Sequence, residues 1–139
     1  MAYPCTTVID LRMKIVINDD RRIHDIQDEF HHQFPFLKIE FFSRPHRKGV
    51  GSSKRLMKSN GKSIGECRSI HSKGEIQIEP AMTVSDLEQK FAELFGLSVQ
   101  VFRKSANVWL ETTVTDGWTL EEQNRQGEAL AGIQRRATF

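Results

Sequence analysis

Twice along this chain a strict alternation of apolar and polar residues gives way to a helical spacing and then returns. No other feature constrains the fold as strongly. The stretch KIVINDDRRIHDIQDEFHHQFPFLKIEF, from Lys14, aligns with EIQIEPAMTVSDLEQKFAELFGLSVQV, from Glu75. Ile15 then meets Ile76, Ile17 meets Ile78, Ile23 meets Val84, Asp25 meets Asp86, Ile26 meets Leu87, Phe30 meets Phe91 and Phe34 meets Phe95. After a one-residue gap, Ile39 meets Val99 and Phe41 meets Val101. A switch from period two to a period near 3.6 and back is the mark of strand, helix, strand, and a duplicated mark predicts two related units.

Local signals bound the helices. Asp19 or Asp20 can cap the first, and Thr83 or Ser85 the second. Pro35 and Gly96 close them at matching places, because proline cannot continue a helix and glycine suits its left-handed exit. The expectation is an α+β sandwich resembling the ferredoxin-like fold: two βαβ-type repeats in one mixed sheet, with helices on one face. The KSAN stretch, residues 104–107, predicts a hairpin into a further strand, VWLETT. A C-terminal helix then starts at Thr119, which has capping-box spacing with Glu122; Gly127 and sparse apolar residues place it on the surface. Residues 13–139 read as a single domain, preceded by a leader, 1–12, unless TTVIDL extends the first strand.

Composition narrows the function classes. Hydrophobic residues make up 38% and charged residues 27% of 139, a globular balance, and no apolar run approaches the ~20 residues needed to span a bilayer. Cys5 and Cys67 form no C-x-x-C pair, and the N-terminal stretch lacks the basic and apolar regions of a secretory signal, so a cytoplasmic protein with free thiols is expected. A net charge of +2 is too weak for the global field to gather a polyanion. Charge is concentrated in the loop 43–74, which holds nine of the 20 basic residues against the single acid Glu66; its tetrad Arg47, Lys48, Lys54 and Arg55 is a candidate contact for phosphate or nucleic-acid backbone. The strands KIVIN and EIQIEP lack the stacking aromatics of an RNA-recognition domain, and GVGSSKR lacks P-loop spacing.

Alternation sends Ile15, Ile17, Ile39, Phe41, Ile76, Ile78, Val99, Val101, Val108 and Leu110 toward the helices. The other face then carries Val16, Phe42, Phe102 and Trp109 among Glu40, Gln77, Glu79, Gln100 and Glu111. Several large apolar residues on a face that would otherwise be solvated require a cover: the chain's own loop or tail, a partner, or a ligand. Trp118, just before the Thr119 cap, suits either a staple onto the first helical turns or an exposed anchor.

Catalytic signatures are weak. His24, Asp28 and His31 share one flank of the first helix and Asp25, Glu29 and His32 another, but no third anchor completes a metal site. Cys67 and His71 have the residue types of a nucleophilic pair without an orienting third group. The tail LETT…DGWTLEEQNRQGE resembles a segment of small uncharacterised bacterial proteins, over the last two-thirds of the chain; that resemblance implies no activity. The expectation is therefore a non-catalytic protein-interaction or regulatory domain without cofactors, contacting a second copy or another protein through Phe42, Phe102, Trp109 and Trp118. Nucleic-acid binding by the basic loop is the alternative.

Overall fold

A computed structural model describes residues 12–43, 57–58 and 60–137, with side chains described through residue 131. The first of the two aligned stretches forms β1 (Met13–Ile17), α1 (Ile23–Gln33) and β2 (Leu37–Phe42). A short 3-10 turn, Gly65–Cys67, precedes the second, β3 (Gly74–Ile78), α2 (Val84–Phe95) and β4 (Ser98–Ser105), which is followed by β5 (Val108–Glu111) and α3 (Leu120–Ala137). The architecture is α+β with every strand pair antiparallel: β1 with β3 in one sheet, and β2–β4–β5 in another.

That topology corrects the expected mixed sheet. Ile15 pairs with Ile76, its own counterpart in the repeat. Ile39 pairs with Val101 and Phe41 with Val99, which is the same exchange of counterparts. Each of these strands lies antiparallel to the one it aligns with in sequence, and β2 stands beside β4, whereas a ferredoxin-like sheet would set it beside β3.

The inward sides of both sheets and the apolar stripes of α1 and α2 share one core. Ile15, Ile17, Ile76, Ile78, Ile39, Phe41, Val99 and Val101 are all buried, as are Ile26, Phe30, Leu87 and Phe91. Phe41 meets Phe91 edge-on at 6.0 Å. Each such side chain withdrawn from water contributes roughly 1.5–3 kcal/mol, so this layer carries most of the stability.

Thr83 caps α2 in a capping box with Asp86, and Gly96 closes it at φ 63°. The cap of α1 differs from expectation: Arg22 occupies it without a side-chain bond, beyond both Asp19 and Asp20, and Asp19 instead pairs with Arg68 and His71. Instead a segment of the chain clasps the start of each helix. Ile23 and His24 N–H donate to Lys62 and Asn60 carbonyls, and Ile64 and Gly65 N–H return to Arg21 and Asp19. At α2, Val84 and Ser85 donate to Trp118 and Asp116, and Leu120 and Glu121 return to Met82 and Pro80. The two clasps read NGKSIGE and DGWTLEE, and each satisfies helix N–H groups that no intrahelical partner can reach.

Candidate interaction surface

The β4–β5 hairpin turns in two residues, Ala106 and Asn107, with Ser105 opposite Val108. That register puts Trp109 across from Lys104. Trp109 is half-buried, and its ring is bracketed by Lys38 and Lys104, each with Nζ 5.1 Å from the ring centre. His31 of α1 approaches edge-on at 6.0 Å, and its Nδ1 lies 2.8 Å from the Leu37 carbonyl. Lys38 also stands over Phe102 at 5.4 Å and pairs with Glu40 at 3.2 Å. A shallow groove of about 210 Å³ runs here between α1 and β2, bordered by Gln27, His31, Glu40 and Trp109. Cations at this distance from an indole face are attracted to its quadrupole, so the aromatic surface is laced with positive charge.

Two members of the expected open face lie deeper than the alternation suggested. Phe42 and Phe102 are buried, and Gln100 between them is fully covered. Phe42 bridges to Met57, and Lys58 N–H donates to the Phe41 carbonyl, so the chain returns along this margin. Val16 belongs to the other sheet. Of the four aromatic candidates, Trp109 and Trp118 retain accessible surface, with Phe102 as a floor beneath the Lys38 side chain.

The opposite face of β5 departs from expectation in the other direction. Val108 and Leu110 do not pack under helices: they are 55% and 43% exposed, because α3 docks on β4 and β2 and the helical layer ends there. Leu110 sits opposite Arg103, whose guanidinium stacks on Trp118 at 5.6 Å and donates to Gln123. Trp118 is 40% exposed. Its carbonyl accepts the Val84 N–H in the α2 clasp, while its ring lies against Arg103.

The remaining chemical candidates separate. Cys67 donates to the Ser63 carbonyl, and burial pushes its thiol above the usual range despite the opposing field of Lys58. His71 pairs with Asp19 at 2.7 Å, so imidazole and thiol have different partners. His24 lies 3.1 Å from Asp25. Among the described residues no three histidine, cysteine or carboxylate groups converge on a metal position. Also among them, no helix is long and apolar enough to cross a membrane. Arg47, Lys48, Lys54 and Arg55, together with Cys5 and most of the leader, lie outside the described residues.

Sequence reasoning missed Lys38, Lys104, His31 and Arg103 as neighbours of the tryptophans. The signal for Lys104 was present, since a two-residue turn at Ala106–Asn107 fixes it opposite Trp109. Lys38 and His31 depend on β2 pairing with β4, which no local pattern announces. No protein-family model, curated protein or solved structure matches the chain.

Proposed function

We propose that this chain is a non-catalytic protein-interaction domain that self-associates through the β5 side of its three-stranded sheet, and that its architecture arose from two related βαβ halves. The carrying observation is the hairpin itself. An edge strand presents a cation-bracketed Trp109 on one face, and exposed Val108 and Leu110 beside Trp118 on the other. Half-exposed aromatics framed by polar groups match the centres of protein interfaces, where loss of water from indole surface drives association. Phe102 supports this surface from beneath the Lys38 side chain, while buried Phe42 lies farther along β2, opposite Ser98. The non-catalytic reading draws on Cys67, whose thiol is raised by burial and donates to the Ser63 carbonyl while His71 pairs with Asp19, since a thiol held protonated is a poor nucleophile.

The test is the molar mass in solution of the wild-type chain and of Trp109→Ala. A half-buried indole contributes less to folding than a core one, so the variant should keep its fold, losing under about 2 kcal/mol by urea titration. It should associate at least tenfold more weakly. If Trp109→Ala unfolds the chain, the residue belongs to the core and the interface reading fails.

A further inference from the structure

We infer that the partner of β5 is the β5 strand of a second copy, joined antiparallel about a two-fold axis at Leu110. This inference rests on the interaction reading above and adds the partner and the register. Ser105 and Val108 flank a two-residue turn and therefore share the narrow hydrogen-bonded pair. Alternation along the strand then turns the N–H and C=O of Trp109 and Glu111 outward, away from β4. Among the described residues no backbone bond from outside the hairpin reaches either one.

Self-pairing admits few registers. Residues opposite each other in a sheet point to the same face, so the axis must fall on a residue and not between two. An axis on Leu110 sets Trp109 against Glu111 of the second copy, and Glu111 against Trp109 of the second copy. All the outward groups of the strand are then used in four N–H···O bonds. An axis on Trp109 would pair that residue with itself and leave Glu111 facing the turn.

Side chains agree with this register. It carries the Glu111 carboxylate of each copy to the Trp109 ring of the other, where Lys38 and Lys104 wait 5.1 Å from the ring centre. That charge complementarity favours a second copy over a basic partner. On the other face Leu110 meets Leu110 of the second copy, covering a side chain that is 43% exposed in the single chain. The product is a six-stranded sheet with order β2-β4-β5-β5-β4-β2, and the two-fold makes the interface self-complementary.

The register is tested with the full chain by site-directed disulfides in a background with Cys5→Ser and Cys67→Ser. Leu110→Cys places two thiols in directly opposed positions, within the ~4.4–6.8 Å that a disulfide spans between Cα atoms. Val108→Cys places them about four residues apart along the strands, roughly 13 Å, beyond its reach. Under mild oxidation Leu110→Cys should give at least tenfold more linked dimer than Val108→Cys, and Leu110→Arg, with circular dichroism unchanged, should be monomeric. Equal linking of the two cysteine variants, or a dimer that survives Leu110→Arg, overturns the register. If that dimer is nonetheless broken by Trp109→Ala, the interaction reading stands and only the β5 pairing falls. A chain that is monomeric at every concentration overturns both.

Discussion

Ala106 holds a left-handed backbone, φ 55°, with no glycine to ease it. An L-residue there costs about 1–2 kcal/mol, while glycine adds freedom to the unfolded chain worth about 0.4–1. Ala106→Gly should therefore stabilise the protein by about 0.5 kcal/mol, read as a higher urea midpoint. Asp19 is the second informative residue. Burial opposes its charge, but hydrogen bonds from Arg68 and His71 outweigh that and hold its carboxyl below the ordinary 3.8. A lowered native pKa gives stability that is fully present above the unfolded value and lost as pH falls through the lowered one. Stability should thus decline below about pH 3.8, and Asp19→Asn should flatten that decline in acid titrations followed by circular dichroism. Arg68 explains the arrangement, since its side chain is wholly covered and also donates to the Phe95 carbonyl. Sequence reading placed Asp19 as a helix cap because the residue type suits that role; the long-range pairing with Arg68 left no local trace.

Element boundaries were legible because the signals are local: Thr83, Gly96, the KSAN turn and the Thr119 start all lie where the chemistry of caps and turns puts them. The SIGECR stretch forms its turn with Ser63 and Glu66 bonded reciprocally, as in a capping box. Gly127 shows the opposite case. Read alone it weakens α3, yet it sits where the helix crosses the sheet, and a Cβ there would come within 2.7 Å of Phe36 Cβ and 3.2 Å of the Phe36 carbonyl. Gly127→Ala would gain roughly 1 kcal/mol in helix propensity, but overpacking costs about 1–3. A net loss of about 1 kcal/mol is expected, measured by thermal unfolding; a more stable variant would mean that α3 shifts freely over β4.

At the scale of the molecule, the repeated strand–helix–strand pattern predicted the buried set well, since the inward residues of β1 to β4 follow from alternation alone. Pairing did not follow, because periodicity says which face is apolar and nothing about which strand lies alongside. One mixed sheet was expected where two antiparallel sheets stand; of the expected open face Phe42 and Phe102 are buried, Trp109 is half-buried on β5, and Val16 is exposed on the other sheet. Trp109 was legible as an unusual residue on the right strand; its lysine bracket required the β2–β4 register. The most direct test of the account is the mass of the chain by light scattering over a wide concentration range, at low and high salt. Backbone pairing and apolar burial predict a rise from 16.0 kDa toward twice that value, persisting in high salt and shifted to at least tenfold higher concentration by Trp109→Ala. A mass fixed at 16.0 kDa throughout, or one that rises only when nucleic acid is added at low salt, would contradict it.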